Sequence, residues 1–365
     1  MSKLASDCGA INLSQGYPGF ECDPELLDLV NKYMKAGFNQ YAPMSGIRVF
    51  RERIAEKTKL VYDVELNSET EVTVASGATE ALYAAVTAVV KLGDEVILFD
   101  PAYDSYAPSV KLNGGVPVYV PLEMPDFSVD WEKVKSAITD RTRLIMVNTP
   151  HNPSGYVWTQ EDLNMLAELI EDKDIFVVSD EVYEHITFDG RKHLSLLTHP
   201  LLRERTFVCG SFGKTFHVTG WKIGYCLAPP QLTEEFRKVH QFLTFSTATP
   251  LQYALADYMS KPSRYFSLPD FYQQKRDIFC EGLKKTPFVF TPAQGSFFQM
   301  VSYGHLSQES DYDLAVRLTK EIGVASIPIS VFFSDKKDHK ILRFCFAKEE
   351  SDLNAALDKL KGIRL

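Results

Sequence analysis

Lys214 is the residue around which chemistry can be built. It sits among small and polar residues in Ser211-Phe212-Gly213-Lys214-Thr215, directly after the apolar run Phe207-Val208-Cys209. A second cation, Lys222, follows eight residues later and precedes another apolar run, Ile223 to Leu227. A lysine held in a tight, desolvated place near another cation has a lowered pKa. Its free amine can then attack a carbonyl and form a Schiff base. An exposed loop lysine is the bland alternative, and for a lysine alone it would be the better reading.

Other residues with chemical potential recur at comparable places. Gly77-Ala78-Thr79, Asp100 to Tyr103, Asn148 to Pro153 and Asp180 to Tyr183 each follow a short apolar run, as Ser211 to Lys214 does. The runs are Glu71–Ala75, Glu95–Phe99, Arg143–Val147, Ile175–Ser179 and Thr206–Cys209, with Pro117–Val120 and Lys222–Leu227 completing the set. Helical stretches separate many of them: Thr79 to Lys91, Asp130 to Asp140, and Thr159 to Asp172 with a near capping box from Thr159 and Asp162. Short β-branched runs alternating with helices predict an α/β fold with a mostly parallel sheet buried on both faces. In such sheets ligands bind beyond the carboxyl ends of the strands. Polar groups at five strand ends are therefore hard to read as solvated loops.

Beyond about residue 255 the pattern changes. Charged helices (Phe271 to Lys284, Asp311 to Ile322) alternate with the strands Gly295–Val301 and Lys340–Phe346, and a last helix, Ser351 to Lys361, takes Ser351 as its N-cap. This predicts a second, α+β domain. Residues 1–24 are expected to pack against it, 25–255 to form the large domain and 256–365 the small one. A chain of 365 residues suits such a division.

Composition narrows the classes. Apolar residues at 45% and charged residues at 24% describe a soluble globular protein. A net charge of -9 argues against general nucleic-acid binding and against an anionic membrane surface. Six scattered cysteines without a Cys-x-x-Cys pair fit a reducing, cytoplasmic setting, and eight histidines without metal-ligand spacing argue against a metal site. No apolar stretch reaches the length of a membrane span, and residues 1–10 lack the pattern of a signal peptide.

The ordered set Gly77-Ala78-Thr79, Asn152-Pro153-Ser154-Gly155, Asp180-Glu181-Val182-Tyr183 and Ser211 to Lys214 followed by Gly220-Trp221-Lys222 resembles the class I/II aminotransferases. The resemblance runs from about Ile11 to the C-terminus. Within that family it is to the kynurenine, glutamine and methionine aminotransferase branch. Asn39 to Gly46, Ser179 to His185 and Val239 to Phe245 look most like the bacterial methionine aminotransferases.

The resemblance implies fold type I, with a large domain on a mostly parallel seven-stranded sheet sandwiched by helices and a smaller α+β domain. It implies pyridoxal 5'-phosphate, bound covalently by Lys214, whose freed amine would then act as acid and base. Asp180 would pair with the ring nitrogen, although an Asp after a strand also reads as a helix cap. Tyr183 and Asn152 would hydrogen-bond the phenolic oxygen, with a cis bond implied at Asn152-Pro153; a simple turn is the alternative for Asn152. Gly77, Ala78 and Thr79 open a helix whose free N–H groups suit a phosphate, joined by Ser211 and Lys222. Much of the wider family has Arg where this chain has Lys222, which loses the bidentate fork. Tyr41 matches a tyrosine that reaches the phosphate of a neighbouring subunit, so a homodimer with shared active sites is implied.

Tyr103 would stack on the ring, or equally serve as a core aromatic. Arg343, flanked by apolar strand residues, needs an anion, supplied by a substrate α-carboxylate or by an internal salt bridge. Gly16 would let the carboxylate approach the backbone, and Asn152 would share it. Tyr17, Tyr103 and a partner's counterpart of Phe245 are candidate side-chain pocket residues, while Arg237 and Lys238 read as a solvated helix face. No second arginine is placed for a distal carboxylate. The expected donors are methionine, phenylalanine and tyrosine, with glutamine, histidine and kynurenine as further candidates and a 2-oxo acid as acceptor. β-Elimination from cysteine S-conjugates is the rival reaction on the same scaffold. A cofactor-binding regulator is the rival class, without the basic helix it would need. The branch usually carries a longer N-terminal arm than the ten residues preceding Ile11, so pocket closure and specificity are expected to differ.

Overall fold

The computed structural model describes residues 1–363. The apolar runs become strands: β1 Ile11–Asn12, β2 Val72–Ala75, β3 Glu95–Asp100, β4 Val116–Pro121, β5 Thr142–Asn148, β6 Phe176–Asp180, β7 Thr206–Ser211, β8 Gly224–Leu227, β9 Phe298–Ser302, β10 Val324–Ala325, β11 Ile327–Pro328 and β12 Ile341–Cys345. Seven of them form one sheet in the order β2-β8-β7-β6-β5-β3-β4. Pairing is parallel from β4 through β7, and β8 runs antiparallel to both β7 and β2.

Residues alternate between the two faces of this sheet. Val96 and Leu98 of β3, with Leu144 and Met146 of β5, pack on the side of helix Gly77–Val89. Ile97, Phe99, Ile145 and Val147 face the larger apolar core on the other side. Both faces are covered, which is why these strands read as continuous apolar runs.

A three-stranded antiparallel sheet, β11-β12-β9, forms a second layer system with helices Leu268–Leu283 and Glu350–Lys361. The N-terminal segment joins this part. β1 pairs with β10, and the Cys345 amide donates to the Leu13 carbonyl at 2.7 Å.

Several expected elements shift. The capping box is complete, with Asp162 N 3.2 Å from Thr159 Oγ1 and Thr159 N 2.7 Å from Asp162 Oδ2. Ser351, however, is not an N-cap. The last helix starts at Glu350 with Glu349 at the cap position, so Ser351 lies in its first turn. The helix expected over Asp311–Ile322 is α-helical only to Arg317 and continues as a wider π turn over Leu318–Ile322. Arg237 is not on a solvated face. Its guanidinium donates to Thr73 Oγ1 at 3.0 Å and to the carbonyls of Glu69 and Val72 at 2.9 and 2.8 Å, tying helix Pro230–Leu243 to β2. Among the described residues no helix is long and apolar enough to cross a membrane, and no group of three His, Cys, Asp or Glu side chains could hold a metal ion.

Candidate active site

The carboxyl ends of the parallel strands open onto a cavity of about 450 Å³. Its lining includes Gly16, Gly77, Ala78, Thr79, Tyr103, Asn152, Asp180, Tyr183, Ser211, Lys214, Lys222 and Arg343. Twelve of the fifteen residues singled out from the sequence are thus brought together from five strand ends, the N-terminal segment and β12. Tyr17, Tyr41 and Phe245 are not in the lining. Tyr41 is 85% exposed and meets Phe245 edge-on at 5.4 Å between ring centroids. Tyr17 lies on the surface beneath the Lys348 ammonium.

Asp180 ends β6 and is buried. The Tyr106 hydroxyl donates to its Oδ2 at 2.6 Å and the Val182 amide to its Oδ1 at 3.3 Å. Burial pushes this carboxyl up to about 6, against the pull of those two donors and of the Lys214 charge. No lysine or arginine pairs with it among the described residues, so the carboxylate is short of a cation.

The loop after β5 is braced against β6. Asn148 Nδ2 donates to the Asp180 carbonyl at 2.9 Å, and Asn148 Oδ1 accepts from the Asn152 amide at 2.7 Å. The Asn152-Pro153 bond is cis, as are Thr149-Pro150 in the same loop and Asp100-Pro101 at the end of β3. Buried His151 bridges the two, with Nδ1 2.7 Å from Ser154 Oγ and Nε2 3.1 Å from the Pro101 carbonyl.

Arg343 projects from the middle of β12, where it pairs with Ile327 and Met300. Its guanidinium lies over Phe298 at 3.9 Å and Phe332 at 4.8 Å. It donates to Asn152 Oδ1 at 2.6 Å and to the Ser14 carbonyl at 3.4 Å, and its buried Nε has no partner. Burial lowers its pKa to about 10. The internal salt bridge considered from the sequence is not formed. This cation is buried and lacks its anion.

Lys214 lies in the short helix Phe212–Thr215 after β7. Its Nζ donates to the Gly16 carbonyl at 2.6 Å and hangs near the rings of Phe297 and Tyr183 at 5.2 and 5.9 Å. Burial lowers its pKa to about 8, with the charges of Arg343 and Lys222 acting in the same direction and those of Cys345 and Asp180 opposing. About a tenth of this amine is therefore neutral near pH 7, far more than for an ordinary lysine.

Another part of the cavity is built on the N-terminus of helix Gly77–Val89, with Ser211 alongside. Lys222 takes a left-handed backbone conformation, φ 54°, and its Nζ lies 3.4 Å from Thr79 Oγ1. β8 can approach this helix start only because residue 224 is glycine. A Cβ there would lie 2.6 Å from the Gly210 carbonyl oxygen and 2.9 Å from Ala78 N.

Four lining or supporting residues escaped the sequence reading. Tyr106 follows Tyr103 by three residues and looks like a helix-face core aromatic. Asn148 stands in the strand-end motif but carries no chemistry of its own. Phe332 and Phe298, which sandwich Arg343, look like ordinary core residues.

A doubly covered α/β sheet, a half-buried lysine and a buried acid at adjacent strand ends, and a buried arginine awaiting an anion define a fold type I transferase. More particularly, the chain belongs to the class I and II aminotransferases, whose family model matches residues 9–360. It is 50% identical to the methionine aminotransferase of Escherichia coli, over 100% of this chain and 94% of that protein. A kynurenine–oxoglutarate transaminase of Dictyostelium discoideum is 35% identical over 100% of this chain and 93% of that one. The crystal structure of the Escherichia coli protein superposes with a TM-score of 0.97, covering 99% of this chain and 96% of the other. That of N-succinyldiaminopimelate aminotransferase from Mycobacterium tuberculosis gives 0.95 at 35% identity, covering 99% and 95%. The chain is an aminotransferase.

Proposed function

We propose that the cavity binds pyridoxal 5'-phosphate and transfers the amino group of methionine and of other large apolar or aromatic amino acids to a 2-oxo acid. The observation that carries this reading is Arg343, buried without a counter-ion and with Nε unpaired, in the same cavity as a half-buried amine and a cation-starved carboxylate.

The residues present fit the cofactor. The helix N-terminus at Gly77 to Thr79, Ser211 and Lys222 would hold its phosphate. Asp180 would hold a proton on the ring nitrogen, which gives the buried carboxylate the cation it lacks. Tyr183 and Asn152 would hydrogen-bond the phenolic oxygen, Tyr103 would lie against the ring, and Lys214 would bind the aldehyde carbon. When bound, the cofactor supplies the electron-accepting ring that makes the substrate Cα–H acidic.

The remaining steps belong to the protein. Arg343 and Asn152 bind the α-carboxylate, and the Gly16 backbone lies close enough to line its path. That anchor places the Cα–H near Lys214 Nζ. With its pKa near 8, Nζ would be the group that takes up the Cα proton and, once protonated, the group that can give it back. The lysines and arginines in the lining are Lys214, Lys222 and Arg343. Once these are engaged, a distal carboxylate on the substrate would enter without a partner, whereas Phe298, Ile327, Val331 and Phe332 suit an apolar side chain. The similarity to a methionine aminotransferase supports the same choice, and the quoted relatives are aminotransferases or transaminases rather than lyases.

The exposed pair Tyr41 and Phe245, beside the 86% exposed Phe242, is assigned in this reading to a homodimer in which each copy completes its partner's cavity. A fully active monomer in sedimentation would refute it. The reading keeps 1–24 and 256–365 as one small domain beside 25–255, and a cytoplasmic setting for the six free cysteines.

Turnover measured over a full matrix of amino donors and 2-oxo acids tests the substrate. Methionine or an aromatic amino acid should lead, and aspartate as the best donor would overturn the assignment. Lys214→Ala should retain the fold, lose the visible absorbance of the bound cofactor and lose turnover.

A further inference from the structure

A buried ion pair behind the cavity wall takes no part in the chemistry above. Lys57, on helix Arg48–Tyr62, donates from Nζ to Glu184 Oε1 at 2.5 Å, with side chains 3% and 5% exposed. Tyr62 donates to Glu184 Oε2 at 2.5 Å. Tyr225 accepts from Lys57 at 2.7 Å and donates to Glu184. The carboxylate thus has three donors and the ammonium two acceptors. His185 Nε2 lies 3.7 Å from Glu184 with no hydrogen-bond partner, the Tyr265 ring lies tilted 5.4 Å from that of His185, and Glu181 pairs with His193 at 2.8 Å.

Stability alone is a weak reason for such a pair. Desolvating two ions costs as much as their attraction returns, and well-packed apolar residues serve a core as well or better. What a fully satisfied buried pair does supply is a fixed register between the elements that meet at it. Here those elements are the ones that carry the site. Glu184 follows Tyr183 and stands four residues after Asp180. Tyr225 follows Gly224 and stands three residues after Lys222. Its ring occupies the place that a Cβ on Gly210 would take, immediately before Ser211. None of the four network residues lines the cavity.

We propose that Lys57, Glu184, Tyr62 and Tyr225 are positioning residues that lock the ends of β6, β7 and β8 to one another. The lock holds Asp180 and Tyr183 at the distance from Ser211 and Lys222 that lets the ring and the phosphate of pyridoxal phosphate be gripped together. This rests on the cofactor reading above.

Lys57→Met, the double variant Lys57→Met/Glu184→Gln, Tyr62→Phe and Tyr225→Phe test it, with pyridoxal phosphate affinity by equilibrium dialysis, kcat and KM followed from pH 6 to 9. Lys57→Met should weaken cofactor affinity about tenfold or more and lower kcat. KM for the amino donor should stay unchanged, because Arg343 stands on β12, outside the lock. Burial opposes ionisation of Glu184, but Lys57 prevails and holds it well below the usual carboxylate range. Without Lys57 the defect should therefore deepen as pH rises. The double variant, with neither charge, should recover part of the affinity and lose the pH dependence. Should Lys57→Met fail to fold by circular dichroism, Tyr62→Phe and Tyr225→Phe carry the test with smaller losses of affinity in the same direction. Folded variants with wild-type affinity at every pH, while the wild type binds the cofactor, overturn the lock alone. A wild type that binds no pyridoxal phosphate overturns the cofactor reading and the lock with it.

Discussion

Replacing Asp180 by Asn should destroy turnover and at the same time stabilise the cofactor-free protein. In the empty cavity burial raises Asp180 from 3.8 to about 6. The folded chain therefore binds more protons than the unfolded chain between about pH 4 and pH 6, and folding free energy is lost as pH rises through that window. At about 1.36 kcal/mol for each pH unit of that interval, the full penalty above pH 7 is about 3 kcal/mol. Asn removes it while keeping an acceptor for the Val182 amide and a polar group beside the Tyr106 hydroxyl. For a chain of this length, unfolding entropy of about 2.1 cal/mol/K per residue converts the gain into a Tm higher by about 4 °C at pH 8. Near pH 4.5, where the wild-type carboxyl is mostly protonated, the gain should shrink to about 1 kcal/mol. Added pyridoxal phosphate should reverse the order, because a ring-nitrogen proton gives the wild-type carboxylate its missing partner. Scanning calorimetry of both proteins at the two pH values, with and without cofactor, decides the matter. Equal Tm at pH 8, or a difference that does not change with pH, would refute the claim that Asp180 is held as a strained carboxylate awaiting a cation.

Tyr106→Phe removes the 2.6 Å donor to Asp180; the carboxyl should then hold its proton to higher pH, moving the acid limb of the kcat profile up by about one pH unit. Arg343→Met should raise KM for both the amino donor and the 2-oxo acid by about 100-fold, seen in initial-rate kinetics, because it deletes the charge-assisted bond to the shared α-carboxylate. It should raise the Tm of the cofactor-free protein, since a buried cation that lacks a counter-ion costs folding free energy as the Asp180 carboxylate does. Gly224→Ala forces a Cβ against two backbone groups, Gly210 O and Ala78 N, that cannot yield as side chains do. It should lower stability by about 1–3 kcal/mol by thermal unfolding and weaken pyridoxal phosphate binding measurably in dialysis.

Local signals made most of this architecture readable. β3 and β5 each show their apolar run because both faces are covered, and the Thr159–Asp162 box marks a helix start within four residues. Strand-end residues such as Asp180 and Lys214 were legible because polar groups recur after five apolar runs, although each alone reads as a loop or cap residue. The misses share a cause. Arg237 reads as a solvated helix residue because its three acceptors lie on β2 and the turn before it, more than 160 residues away. Tyr106 and Phe332 have the spacing of core residues, and only the tertiary position of Asp180 and Arg343 gives them a second role. Lys57 and Glu184 stand 127 residues apart, and each alone looks like a surface charge. At the last helix, Glu349, Glu350 and Ser351 all suit a cap region, and a shift of two residues lies within what local sequence resolves.

The cavity's own charge explains why an acidic protein can still work as an anion trap. The chain carries -9 overall, yet the cavity lining holds Lys214, Lys222 and Arg343 against Asp104 and Asp180. None of these three cations is paired with a carboxylate among the described residues. Burial weakens the charged form of Lys214 and of Arg343, so each gains when an anion arrives and the cavity is closed to water. On the proposed reading a phosphate at the helix start and a carboxylate at Arg343 would answer two of the three, and a cationic ring nitrogen would answer Asp180. Lys214 is then the one amine whose charge is left free to change. A lysine that must shed and regain a proton in each cycle needs neighbours that are already satisfied by something else, and the positions of Lys222 and Arg343 provide that only when both cofactor and amino acid are bound.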